Sequence, residues 1–217
     1  MATTSSQGLP SRAAARRQAA LAEALDHAVD VVSEAGVGGL TVSEVARRMG
    51  MRAPSLYKYF PSLHAVYDAL FARGLAGEAA AVREATQGLG PGVARLCAGG
   101  RATVRWCIDN SALAQLLHWR PVPGFEPSPE TFAVSLDDMR EDLTESVRRG
   151  ELRPGVDTDD GVRLLTVVLS GVISQQLTNE PGMEFADGAF SRLTDEALDL
   201  FFDHYRPERS PDANPGP

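Results

Sequence analysis

Arg52, Ser55, Tyr57, Lys58 and Tyr59 crowd one short polar stretch of the chain. Together they offer cations, hydroxyls and flat rings. Such groups suit phosphate oxygens and base edges, where positive charge and hydrogen-bond donors position a protein on a duplex. The stretch is too polar outside and too short to be chiefly a core element, so its chemistry is that of a surface.

Two short helices and a tight turn must position these side chains. Thr41 and Glu44 have the spacing of a capping box, which starts a helix near Val42. Val45, Ala46 and Met49 fall on one face of that helix, with Ser43, Glu44, Arg47 and Arg48 on the others. Gly50 stands where the chain must reverse and ends the helix. A second helix starts close to Pro54, which is tolerated in a first turn that has no amide partner to lose, and runs to about Tyr59. Its inward residues are Met51, Leu56 and Phe60. This is the spacing of a helix-turn-helix whose second helix enters a major groove. It also fits a solvated helical hairpin.

Within LTVSEVARRMGMRAPSLYKYF, the residues Leu40, Thr41, Val45, Ala46, Gly50, Leu56, Tyr57, Tyr59 and Phe60 resemble the N-terminal DNA-binding domain of TetR/AcrR-type transcriptional regulators. The resemblance runs from about Ala19 to Leu70. It implies that Thr41, Tyr57 and Tyr59 touch the phosphate backbone and that Arg52, Ala53 and Ser55 face the bases, with Ser43, Pro54 and Lys58 completing the DNA-binding surface. Two departures from the family pattern stand out. Leu63 occupies the place of a phosphate-holding lysine, leaving that contact to be lost or supplied by Lys58 or His64. Ala53 offers a base only a methyl group, so hydrogen-bond readout falls on Arg52, Ser55 and Lys58.

The formal net charge of −8 looks wrong for a DNA binder until it is divided along the chain. Residues 1–60 carry seven Arg and Lys against five Asp and Glu, or 7 − 5 = +2, and the remainder carries 14 − 24 = −10. Any nucleic-acid footprint is thereby confined to the N-terminal part. Arg12, Arg16 and Arg17 precede the first long helix or occupy its first turn. Cations are misplaced at the positive end of a helix, so Arg16 and Arg17 read as phosphate contacts of a basic arm, or else as a solvated arm.

The expected architecture is all-α, about nine helices: a three-helix DNA-binding head, residues 11–61, on a helical ligand-binding and dimerisation domain, residues 62–205. A disordered arm, residues 1–10, and a disordered tail, residues 206–217, flank them. Leu21, Leu25, Ala28 and Val32 mark helix one, closed by Gly36 and Gly38. Ser62 caps a long fourth helix with Leu63, Val66, Tyr67, Leu70, Phe71, Leu75 and Val82 on its apolar face. A fifth follows from Val93 to Ile108, and Ser111 caps a sixth ending near Trp119. The proline-rich segment 120–129 is irregular, and Phe132, Leu136, Met139, Leu143 and Val147 mark a seventh helix.

The eighth helix is apolar nearly all round, from Val162 to Leu177, and must be covered on every side. The ninth, with Phe190, Leu193, Ala197, Leu198, Phe201 and Phe202, supplies part of the cover. A two-fold four-helix interface between two subunits completes it, with Leu165, Val168, Leu169, Val172, Leu198, Phe201 and Phe202 at the contact. Ser170 and Gly171 allow close approach. The family resemblance implies the same homodimer.

No nucleophile elbow, phosphate loop or His/carboxylate metal pair has a recognised spacing, and no enzyme, cofactor or metal is expected. The nearest approach to a catalytic cluster is His118 with Trp119, Asp109 and Glu126. Trp106, Gln115, His118, Trp119, Phe125, Phe132 and Met139 form a candidate pocket for a small apolar or aromatic effector. Cys97 and Cys107 read as reduced packing residues in one helix. Neither a targeting segment nor a membrane span is evident, which places the protein in the cytoplasm. The sequence therefore implies a homodimeric repressor of a palindromic operator in double-stranded DNA. The alternatives are a regulator or activator that needs no ligand, and an enzyme whose head mimics a helix-turn-helix.

Overall fold

A computed structural model describes residues 11–128 and 137–207. The N-terminal arm 1–10, residues 129–136 with Phe132 and Leu136, and the tail from 208 onward lie outside the described residues. The described residues form nine α-helices and no strand: α1 Arg12–Ala35, α2 Val42–Arg48, α3 Ala53–Leu56, α4 Leu63–Ala85, α5 Val93–Asp109, α6 Ser111–Trp119, α7 Asp137–Arg148, α8 Asp159–Asn179 and α9 Thr194–His204. None of these helices is long and apolar enough to cross a membrane.

Hydrophobic spacing explains most of these elements. Ser11 caps α1, its Oγ accepting from the Ala14 amide at 3.2 Å. The helix then buries Ala24, Ala28, Val31 and Val32, a stripe of one helical face. Because α1 already begins at Arg12, Arg16 and Arg17 lie beyond its first turn. The expected clash of these two arginines with the helix dipole is therefore weak, since that effect fades within one turn.

At the end of α2 the Met51 amide bonds to Ala46 O at 2.9 Å and the Gly50 amide to Arg47 O at 3.1 Å. That double closure needs a left-handed residue, which Gly50 supplies at φ 67°. The second helix is shorter than its sequence suggests. It ends at Leu56, and residues 57–59 continue as a turn closed by Tyr59 N to Leu56 O at 2.9 Å.

One buried cluster unites α1 to α3 with the first half of α4, through Leu40, Leu56, Phe60, Leu70 and Phe71. It does not stop at residue 61, for Leu113 and Leu116 of α6 and Phe125 of the following loop belong to it. A second cluster, around Val104, Leu143, Leu165, Ile173 and Leu198, is built by α5 to α9. Helix α4 spans from the head to the body. Its N-cap is Ser62, whose Oγ accepts from the Ala65 amide at 3.1 Å. The buried Tyr67 hydroxyl donates to Val37 O at 3.0 Å, and Arg73 pairs with Asp26 of α1 at 2.6 Å.

One cap is corrected, and most residues expected at a subunit contact are placed by the fold within one chain. Asn110 rather than Ser111 occupies the N-cap of α6, and its side chain is turned back to donate to Trp106 O at 2.9 Å. The α8 and α9 residues expected at a subunit contact are mostly inside the subunit: Leu165, Leu169, Leu198, Phe201 and Phe202 are buried, and Val168 and Val172 pack half-buried against them. One monomer contains enough helices to cover that stripe. Within α8 and α9 the large apolar residues left exposed are Leu164, Val167 and Leu200, with Leu193 exposed just before α9.

Candidate nucleic-acid interface

The interface is built on Leu56 and Phe60, which are buried to 0% and 4% exposure. Fixing these two turns the rest of the segment outward. Arg52, Pro54, Ser55, Tyr57 and Lys58 are exposed, while Ala53 and Tyr59 are half-buried. Tyr57 retains 51% of its surface. Thr41 and Ser43 are exposed at the start of α2. Thr41 Oγ1 accepts from the Glu44 amide at 3.1 Å, which leaves its hydroxyl proton able to donate outward.

Glu44 does not complete the expected capping box. Its carboxylate instead receives Arg47 at 2.7 and 2.8 Å and Arg48 at 2.9 Å, and Arg48 reaches on to Glu34 of α1 at 2.6 Å. Charge-assisted, forked contacts outcompete a single neutral amide. Through Arg48 the network ties α2 to the end of α1, while Arg47 stays exposed beside Glu44 on the same helix. Hydrogen bonds from Arg47 and then Arg48 hold the Glu44 carboxyl down to about 2. A folded-state value below the unfolded one means that this contribution to stability is present above the ordinary carboxylate range, near 4.5, and is lost as pH falls toward 2. Acid unfolding of Glu44→Gln should accordingly depend less on pH between about 4.5 and 2 than that of the unmodified chain. Identical acid limbs would show that the network contributes nothing.

Arg17 also has a use within the fold. Its guanidinium lies over the Tyr59 ring, 5.4 Å from the centroid, and Nη1 donates to Lys58 O at 3.4 Å. Arg16 is exposed. Residues far apart in the chain thus share one surface with the α3 segment. Leu63, in the place of a lysine, is half-buried and packs on the head's core, with exposed His64 beside it near the Phe125 ring.

The candidate pocket residues do not come together. Met139 lines a cavity of about 250 Å³ between α4, α5, α7 and α8, with Leu75, Glu78, Arg95, Asp142 and Leu169. Trp106 borders a separate surface hollow. Phe125 is buried against Tyr67 and Phe71 in the head's cluster. Gln115 is half-buried and Trp119 exposed, while Phe132 lies outside the described residues. The cavity is amphipathic rather than wholly apolar. Asp142, 3.5 Å from Arg95, has one oxygen, Oδ1, buried without a hydrogen-bond partner among the described residues, and burial raises its carboxyl pKa.

His118 is likewise not grouped with Asp109 or Glu126. Its Nε2 lies 3.3 Å from Cys107 Sγ, and Glu78 of α4 converges on the same point. Spacing along the chain could not show this, because the three residues stand on three different helices.

Residues 24–70 match the family model described as bacterial regulatory proteins, tetR family. Over this segment the chain is similar to the tetR family. A stretch of 43 residues is 44% identical to the tetracycline repressor protein class A from transposon 1721 of Escherichia coli, covering 20% of this chain and 20% of that repressor. The match thus spans about a fifth of the relative's length. Likeness of fold extends further than likeness of sequence. A protein of unknown function from Rhodococcus sp. RHA1 superposes with a TM-score of 0.72 at 21% identity, over 94% of this chain and 100% of the other. The transcriptional regulator FadR from Bacillus subtilis, solved with stearoyl-CoA, gives 0.70 at 18% identity over 83% and 97%. AibR, solved with isovaleryl coenzyme A and operator DNA, gives 0.66 at 16% identity over 84% and 98%.

Proposed function

We propose that this chain is a tetR-type transcriptional repressor that binds a pseudo-palindromic operator as a homodimer and releases it when a small molecule enters the body. The carrying observation is the outward set Arg52, Ser55, Tyr57 and Lys58, fixed by buried Leu56 and Phe60 within the segment that matches the family. In this reading Arg52 and Ser55 meet base edges, with the Ala53 methyl and Pro54 beside them. Thr41, Ser43, Tyr57, Lys58 and Tyr59 hold phosphates, and Arg16 and Arg17 extend that contact along the backbone.

Dimerisation is supported by the exposed apolar strip of Leu164, Val167 and Leu200, at 42%, 64% and 69% exposure. A groove of about 320 Å³ adjoins it, lined by Val168, Ala197 and Phe201. Exposed apolar surface of this kind marks association. Gly171 faces the same side with open space around it, which would admit a partner helix closely. Two-fold pairing would then set two α3 segments against successive grooves, about 34 Å or a multiple apart.

The cavity beside α4 favours a ligand-responsive regulator over one that works without a ligand. Its walls suit an effector with an apolar body and one hydrogen-bond-donating or cationic group, placed to satisfy Asp142 Oδ1. By linkage, an effector that weakens operator binding must itself bind less tightly to the operator complex.

Footprinting on DNA flanking the gene, at fixed salt, tests the reading. A protected inverted repeat is expected. Arg52→Ala should cost about 1–3 kcal/mol per head and relax preference at one position of each half-site, whereas Tyr57→Ala should weaken all sequences alike. Unaltered protection by both variants would remove the DNA interface from this surface.

A further inference from the structure

Glu78 of α4, Cys107 of α5 and His118 of α6 each bring one ligand atom to a common point, all within 4.8 Å of one another. We propose that these three side chains form a divalent-metal site of the zinc type, with a fourth position open to the cavity beside α4. The donor set is a thiolate, an imidazole nitrogen and a carboxylate oxygen, the three ligand types that Zn(II) takes from proteins. Tetrahedral ligands at about 2.0–2.3 Å from the ion stand roughly 3.3–3.8 Å apart. The Sγ to Nε2 separation of 3.3 Å already matches, and a Glu78 carboxylate oxygen lies within 4.8 Å of both atoms.

Charge and access fit the same assignment. Cys107 is fully buried, and a lone thiolate there would be costly. With the ion bound, the Cys107 thiol proton and any proton on the Glu78 carboxyl leave to solvent. Thiolate and carboxylate then balance the two positive charges around a neutral imidazole, so the buried set is neutral overall. In the metal-free chain, burial raises the Glu78 and Cys107 pKa values and lowers that of His118, so each group is held toward its uncharged form. Glu78 lies in the wall of the cavity, which offers a route for the ion and room for water as fourth ligand. The Thr103 side chain beside it opposes the effect of burial, acting to lower the Glu78 pKa.

An ion here would tie the middle of α4 to α5 and α6. Any effect of that tie on DNA binding rests on the regulator reading, whereas the site itself does not.

The test uses the full chain, stripped with chelator and titrated with Co(II) and then Zn(II). One Co(II) per chain is expected, with a thiolate-to-cobalt charge-transfer band in the near ultraviolet that Zn(II) displaces. Cys107→Ser should abolish the band. His118→Gln and Glu78→Gln should weaken binding by more than the roughly 10–100-fold that loss of a ligand's hydrogen-bonding partner costs. If Cys107→Ser fails to fold, the two Gln variants decide. Absence of a charge-transfer band in the unmodified chain, or binding that survives loss of His118 and Glu78, would overturn the proposal. Operator binding, measured separately with and without Zn(II), reads the regulator hypothesis and not the site.

Discussion

Val167→Asp is expected to convert a dimer into a folded monomer with a far weaker hold on DNA. Val167 keeps 64% of its surface exposed in the subunit, so a carboxylate there should change the isolated fold by no more than about 0.5 kcal/mol. A two-fold contact through α8 would instead bury it against its own copy, where an unpaired charge is heavily penalised. Sedimentation should show a monomer. Operator affinity should fall by the advantage of tethering a second head, commonly 10²- to 10⁴-fold by order of magnitude. Leu165→Asp is the contrasting variant, since Leu165 is 1% exposed and its replacement should unfold the subunit. A Val167→Asp chain that remains dimeric at micromolar concentration would place the subunit contact elsewhere.

Gln176→Leu should be the most damaging of the near-isosteric changes. Gln176 of α8 is fully buried. Its Oε1 accepts from the amides of Phe190 and Ser191 at 3.1 and 3.0 Å, and its Nε2 donates to Glu180. A leucine of similar volume strands both amides where the chain enters α9, at about 1–3 kcal/mol each. Against a domain stability of roughly 5–15 kcal/mol that is a large fraction. Denaturant unfolding should show a much lower midpoint at an unchanged slope. Loss of less than about 1 kcal/mol would mean that water replaces the side chain's bonds. Because α9 borders the exposed apolar strip, the same variant should also weaken dimerisation.

Local signals were the legible part of this molecule. The spacing Val45, Ala46, Met49, the turn at Gly50 and the caps at Thr41 and Ser62 need only neighbours in the chain, and each acts where it was read. What the sequence could not convey was competition between distant partners. Glu44 has the capping spacing, yet two guanidiniums take its carboxylate, one of them shared with Glu34 on another helix. Phe125 has the character of a pocket wall, but the loop that carries it folds back onto α4, where the Ser128 amide donates to Asp68 at 2.8 Å. Periodicity likewise says that α8 needs cover on every side without saying who provides it. The buried stripe of Leu165, Leu169 and Ile173 is satisfied within the subunit, and only its flank at Leu164 and Val167 is left over. The convergence of Glu78, Cys107 and His118 is invisible for the same reason.

The bonds from Tyr67 to Val37 and from Arg73 to Asp26 fasten the front of α4 to the head, while its rear lies against the body. A helix of 23 residues is about 34 Å long at 1.5 Å per residue. As a lever arm of that length, α4 turns an angular change of roughly 6° into about 3.5 Å of travel at its tip, close to the rise of one base step in B-form DNA. If the proposed operator binding holds, a tilt of that size would therefore be enough to put a reading head out of phase with its half-site.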